Sequence, residues 1–250
     1  MKTFKVLSAL LSYPSAELQA AAGEMKSVLR AEGALKGAAL QGVEALIDGL
    51  ATGDLDDAQE RYILLFDRTR SLSLHLFEHV HGESRDRGQA MVDLIALYEK
   101  GGFTPATTEL PDFLPLFLEF AATQDPVEAI ELVGQPGHVF AALGERLAKR
   151  SSPYEAVFAA LVALSKAKLD PAALDALRAE PDPEPDDLEA LDLAWEEEEV
   201  RFGPGAATDA CGKGTLAVKL RQAQRPAPGL EPIPGARPRT AITTPITARS

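Results

Sequence analysis

His75, Glu78 and His79 spell H-x-x-E-H, the inverted pattern of a zinc hydrolase. In that chemistry two imidazoles one helical turn apart hold the metal and the carboxylate serves as general base. A third ligand would have to come from Glu109, Asp112 or Glu119. Gly82 follows three residues after His79, which leaves little helix to hold such ligands rigid. The competing reading makes the imidazoles hydrogen-bonded groups at a helix end. Glu109 and Asp112, three residues apart, have the residue types of a glycosidase pair. Pro111 between them also marks an expected helix start, where the macrodipole favours acids. The surrounding run LFEHVHGESRDRGQAMVDL (76–94) packs Glu78, His79, His81, Arg85, Asp86 and Arg87 directly before an apolar stripe. ELPDFLPLFLEF (109–120) then sets more acid against more apolar surface. Such a density of charge beside grease suits a catalytic site or a recognition surface, and the residues alone leave both open. Elsewhere the chemistry is thin. Cys211 has no histidine neighbour to activate it, and CGKGT (211–215) lacks the leading glycine and the preceding strand of a phosphate loop.

The elements that must position these groups are helices. Phe113, Leu116, Phe117 and Phe120 follow i, i+3, i+4, i+7 spacing, as do Met91, Leu94, Ile95 and Tyr98. Phe140, Leu143 and Leu147 form another stripe, and Val157, Leu161 and Leu164 one more. Asp54 stands before LDDAQERYILLF, and Ser152-Pro153 and Asp170-Pro171 have the form of helix starts. Breaks are expected at Gly53, Gly82, Gly101-Gly102, Gly134 with Pro136, and Ser151-Ser152. No alternating strand and no internal repeat is evident, so the spacing predicts an all-α domain of roughly eight to ten helices over residues 1–180.

The composition changes after residue 180. Residues 180–199 hold eleven acids, no base and three prolines, too little apolar surface to offset ordering, although LEALDLAW can form a short helix. Residues 181–203 therefore read as an acidic linker. Residues 204–250 carry seven prolines and seven Lys or Arg against Asp209 and Glu231, and read as a Pro-rich basic tail, disordered by composition. The whole chain has a formal charge of −13, which argues against a nucleic-acid partner and suits a basic one. The longest apolar run, AVFAALVAL (156–164), is far too short to insert in a membrane. MKTFKVLSALLSYPS mimics a signal peptide, but no A-x-A-like site follows closely and Phe4, Leu7 and Leu11 repeat at helical spacing, so a first core helix is expected. A single cysteine fits the cytoplasm.

The run LFEHVHGESRDRGQAMVDL, then Tyr98 with Gly101-Gly102, then ELPDFLPLFLEF, resembles the NarJ-type assembly chaperones of respiratory nitrate reductase, within the TorD/DmsD-like group of molybdoenzyme maturation proteins. Tyr62 to Phe66 match the Y-x-x-L-F motif of that wider group, and WEEEEVRFG (195–203) resembles the acidic segment that follows the domain in NarJ-like proteins. The resemblance covers residues 1 to about 180. The wider group carries E-x-x-D-H, whereas Glu109 and Asp112 are followed here by Phe113, a loss that NarJ-like members share. The resemblance implies an all-helical, cytoplasmic chaperone, a monomer or weak dimer, that is not an enzyme and keeps no cofactor of its own. Its implied partner is the N-terminal segment of the apo catalytic subunit of nitrate reductase, held while the molybdenum cofactor is inserted. Docking onto the membrane anchor is delayed meanwhile, and the chaperone is absent from the mature enzyme. Molybdenum-cofactor delivery proteins are further implied partners.

An amphipathic helical ligand would lay its apolar face in a groove lined by Tyr62, Phe66, Leu76, Phe77, Phe113, Leu116 and Phe117. The rim would be Glu78, His79, His81, Arg85, Asp86, Arg87, Glu109 and Asp112, selecting basic or polar residues of the ligand. The same aromatics must also supply a core. Beside this reading stand the zinc hydrolase of residues 75–79 and a stable subunit of an oxidoreductase complex.

Overall fold

A computed structural model describes residues 1–81, 85–105, 109–165 and 169–182, with side chains given outside 81–86. The chain divides into units Met1–Leu193 and Ala194–Ser250. The acidic linker beyond 182, the 204–250 tail and the side chains of His81, Arg85 and Asp86 lie outside the described residues.

Twelve α-helices run through the described part of the first unit, in place of eight to ten. They are α1 Lys2–Leu10, α2 Ala16–Ala20, α3 Ala22–Glu32, α4 Gly37–Thr52, α5 Leu55–Tyr62, α6 Leu76–His81, α7 Arg85–Lys100, α8 Leu114–Thr123, α9 Pro126–Gly134, α10 Gly137–Lys149, α11 Glu155–Ser165 and α12 Pro171–Ala179. A π-helix, Ile63–Asp67, continues α5, and a 3₁₀ turn, Arg70–Leu72, follows it. The extra helices are short: α2 has five residues and α6 six, less than two apolar repeats, so periodicity cannot mark them. Among the described residues the one extended pairing is an isolated antiparallel bridge between His75 and Phe113.

Local chemistry explains most of the boundaries. Asp54 accepts from Asp56 N and Asp57 N to cap α5, and Asp170 does the same for Ala172 N and Ala173 N at α12. Asp125 caps α9 ahead of Pro126 in the same way. Two expected starts move. Pro111 lies in a turn and α8 begins at Leu114, with Pro115 in its first turn. Ser152-Pro153 lead a turn that delays α11 to Glu155. At the far end of α7, Gly102 has φ +70°, and a Cβ on Gly101 would sit 2.6 Å from the Phe120 ring. Only glycines let the chain turn there while α7 stays against α8.

Helix α1 is held at its start from outside. Met1 ammonium donates to Ala122 O at 3.0 Å, and Glu32 accepts from Lys2 N, Thr3 N and the Thr3 hydroxyl. Burial opposes ionisation of Glu32, but the Thr3 and Lys2 bonds hold its carboxyl below the usual range. The core joins α1 to α8 and α3, α11 to α10, α4 and α9, and α10 to α12. Phe4, Leu7, Leu11, Phe120, Phe140, Leu143, Leu147, Val157, Phe158 and Leu161 are all buried in it. Each such side chain contributes on the order of 1.5–3 kcal/mol through lost apolar contact with water. Helix α7 rests on the body through Leu94 and Tyr98, while Ile95, expected on that stripe, is exposed.

Candidate functional site

The site is built where the loop from Thr69 to His75 meets the turn before α8. Leu114 N donates to Leu74 O at 2.8 Å and Leu76 N to Asp112 O at 3.1 Å, which lays the two segments side by side. Asp112 then reaches across the bridge. Its Oδ2 accepts Phe77 N at 3.0 Å, and its Oδ1 lies 3.2 Å from His75 Nδ1. Asp112 is fully buried. A carboxylate at the first turn of α6 satisfies a main-chain donor that a helix start leaves without a partner, and it complements the macrodipole.

The two histidines of the H-x-x-E-H pattern face different partners. Donation of a hydrogen bond to Asp112 raises the pKa of His75 above its ordinary value, against the opposing effect of burial. His79 donates from Nε2 to Ser73 O at 2.8 Å, and burial, aided by the Arg146 charge, pushes its pKa down. Among the described residues no group of three or more His, Cys, Asp or Glu is placed to hold a metal ion. The zinc reading is therefore replaced by a structural one: each imidazole fastens α6 to a neighbouring segment. The glycosidase reading fails for a related reason. Asp112 is committed to a main-chain N–H and an imidazole, while Glu109 is exposed.

A second buried charge holds the same loop at its Ser71 end. Arg146 of α10, 4 % exposed, donates to Ser71 O at 2.6 Å and to Leu177 O, and lies 3.4 Å from Glu180. Arg150 binds Asp182 through both terminal nitrogens at 3.0 and 2.7 Å, and Ser71 Oγ donates to the same carboxylate at 2.7 Å. Tyr98 OH donates to Pro111 O at 2.6 Å and fixes the turn ahead of Asp112 from α7.

Of the residues expected to line the groove, Tyr62, Phe66, Leu76, Leu116 and Phe117 are buried in the core. Tyr62 and Phe66, four residues apart across the junction of α5 and the π-helix, share the inner side, where both rings pack on Tyr154 and the Tyr62 hydroxyl donates to Leu11 O at 2.8 Å. Leu116 and Phe117 fall on the inner side of α8. Phe77 and Phe113 are half-buried, and the Phe113 ring lies 5.4 Å from that of His75. Glu78 and Arg87 form an ion pair at 3.2 Å, each about a quarter exposed. Glu109 is exposed at the start of the turn, and its charge acts on both the Tyr62 phenol and the His75 imidazole. Val80 and Leu110, exposed apolar residues of α6 and of the same turn, escaped the sequence reading. So did Ser71, Ser73 and Arg146. Arg146 did leave a trace, because it falls among Phe140, Leu143 and Leu147 on an otherwise apolar stripe.

Comparison with known proteins adds a second line of evidence. Residues 15–160 match the family model described as nitrate reductase delta subunit. The chain is 40 % identical over 217 residues to the nitrate reductase molybdenum cofactor assembly chaperone NarJ of Escherichia coli strain K12, a match spanning 87 % of this chain and 90 % of the relative. It is 37 % identical over 216 residues to the probable assembly chaperone NarW of the same organism, at 86 % and 90 % coverage. It is 32 % identical over 161 residues to the probable assembly chaperone NarJ of Bacillus subtilis strain 168, at 64 % and 86 %.

Proposed function

The chain belongs to the nitrate reductase delta subunit family, and from that premise we propose that it is a molybdenum cofactor assembly chaperone that grips the N-terminal segment of an apo nitrate reductase catalytic subunit. It performs no chemistry of its own. The observation that carries the reading is the Asp112 clamp. By fixing Phe77 N and His75 to the turn before α8, it holds the Phe77 and Phe113 rings half-exposed beside the Glu78–Arg87 pair and Glu109. A client segment would lay its aliphatic side chains on those rings, with Val80 and Leu110 extending the apolar surface. Acidic rim groups, and a chain charge of −13, favour Lys or Arg on its polar side. The deeper residues first expected in the groove act through the fold instead.

Holding the client's leading segment keeps the apo subunit open while the molybdenum cofactor, which is cargo here, is inserted, and delays its docking on the membrane anchor. The chaperone then leaves, so the mature enzyme lacks it. Delivery proteins for the cofactor would meet this complex in the cytoplasm. Among the described residues no helix is long and apolar enough to cross a membrane.

The test is calorimetric titration of the full chain with a synthetic peptide copying the client subunit's N-terminus. Binding is expected at a Kd of about 1 μM or tighter, near −8 kcal/mol. Phe77→Ala with Phe113→Ala should weaken it at least tenfold. Absence of heat and of any spectral shift would defeat the proposal, as would co-purification of the chain with mature enzyme at fixed stoichiometry.

A further inference from the structure

Residues 169–182, the last described stretch, form α12 and the short exit that follows it, and two different sets of contacts hold them. Helix α12 packs on α10 with Leu174 and Leu177 buried, and Arg178 grips Glu145 of α10 through two nitrogens at 2.9 and 2.6 Å. Arg178 has a second partner in Asp175 of its own helix. These contacts join one helix to another. Asp182 makes a different connection. Its carboxylate takes both terminal nitrogens of Arg150 and also the Ser71 hydroxyl, so it ties the loop ahead of α6 to α10. Burial opposes ionisation of Asp182, yet the bonds from Arg150 and Ser71 hold its carboxyl below the usual aspartate range. Its charge is therefore fully present near neutral pH.

Ser71 is held twice, by its hydroxyl on Asp182 and by its carbonyl on Arg146. From Ser71 a continuous run of bonds leads to the Phe77–Phe113 face. Ser71 sits in the 3₁₀ turn Arg70–Leu72, which Ser73 N closes on Arg70 O at 3.1 Å. Ser73 then accepts His79 Nε2 on its carbonyl and His75 N on its hydroxyl. His75 meets Asp112, and Asp112 accepts Phe77 N. The charges of Arg146 and Glu180 act on His79, which places the clasp near α6 as well. Leu72 and Leu74 are buried along this run. A close-packed segment passes a displacement along because it has no free volume in which to absorb it.

We propose that Asp182 is a positioning residue for client binding: by pinning Ser71 to α10 it sets the segment from Ser71 to Phe77, and with it the Phe77 and Phe113 rings, in the orientation that the client meets. The inference rests on the chaperone reading above and adds to it a residue which that reading does not use. Asp182 is not among the residues of the proposed contact surface, so its effect travels through Ser71 and not through the ligand.

The experiment titrates the full chain and its variants with the peptide copying the client's N-terminus, by calorimetry. Asp182→Ala and Ser71→Ala should each weaken binding about fivefold, and the double variant should be no weaker than either alone, because both substitutions break the same link. Asp182→Asn, which keeps an acceptor for the Ser71 hydroxyl, should recover part of the loss. Arg178→Ala removes an ion pair of the same helix without touching Ser71, and should leave affinity within about twofold of the parent. In the free chain, with no peptide present, Asp182→Ala should speed hydrogen exchange at the Leu76 and Phe77 amides, which both donate to Asp112, and Arg178→Ala should not. A parent chain that binds no peptide defeats the chaperone reading, and this inference falls with it. A parent that binds while Asp182→Ala stays within about twofold of it overturns this inference alone. So would additive losses in the double variant, an equal loss from Arg178→Ala, or exchange at Leu76 and Phe77 that Asp182→Ala leaves unchanged.

Discussion

Replacing Asp112 with asparagine probes the clamp with almost no change of shape. The carboxylate accepts from Phe77 N at 3.0 Å and faces His75 Nδ1 at 3.2 Å in a fully buried position. Bonds to an ionised acceptor contribute about 1.5–3 kcal/mol and neutral ones about 0.5–1.5, so two weakened bonds cost roughly 2 kcal/mol. Asp112→Ala removes both acceptors and leaves Phe77 N–H buried without a partner, for a loss of about 3–4 kcal/mol. At about 2–4 °C per kcal/mol for a domain of this size, the asparagine variant should melt roughly 4–8 °C lower. The deficit should depend on pH in a stated direction. His75 has a folded pKa above 6.5, so its paired form contributes fully below 6.5 and is lost as pH rises through that higher value. The parent therefore loses stability across that window while Asp112→Asn, lacking the ionised partner, changes less. Urea denaturation at about pH 6 and about pH 8.5 should show a larger gap at the lower pH. The reasoning is refuted if the asparagine variant stays within about 0.5 kcal/mol of the parent at both values.

His79 should behave in the opposite sense. Its folded pKa lies below 6.5, so its contribution is present above 6.5 and fades as pH falls through the lower value, and His79→Gln should flatten that acid limb of a stability–pH curve. Arg146→Met should cost about 2–4 kcal/mol in chemical denaturation, because Ser71 O and Leu177 O lose their buried donor; a melting point equal to the parent's would contradict the clasp. Phe117→Ala should lower stability by about 3–5 kcal/mol with little effect on peptide affinity per folded molecule. Phe113→Ala, half-buried, should do the reverse, as thermal melts and calorimetry run on the same samples would reveal.

The sequence made the all-helical frame legible because α8, α10 and α11 are long enough to repeat their apolar spacing, and because Asp54 and Asp170 sit at caps whose chemistry is local. The site was legible only as a neighbourhood. A stripe such as Leu116-Phe117-Phe120 says that one side of a helix is apolar, and the core and an open groove make the same demand, so burial alone decides which. Asp112 has the spacing of an acid at the start of its own helix, yet it serves a helix start thirty-five residues away, at Phe77, a relation that no spacing rule reaches. His75 and His79 mimic a metal pair because the pattern counts positions and not directions, and their nitrogens point at Asp112 and Ser73. What pattern reading can detect is a charge where apolar periodicity leaves no room for one. Arg146 breaks the stripe of α10, and Asp112 stands directly before the apolar run of α8. These two buried ions hold the segment from Ser71 to Phe77 at its two ends. That segment runs into helix α6, which at six residues is too short to persist by its own hydrogen bonds. Helix α6 is thus held in place by two charges lying outside it, which is why removing Asp112 or Arg146 should disturb the face at Phe77.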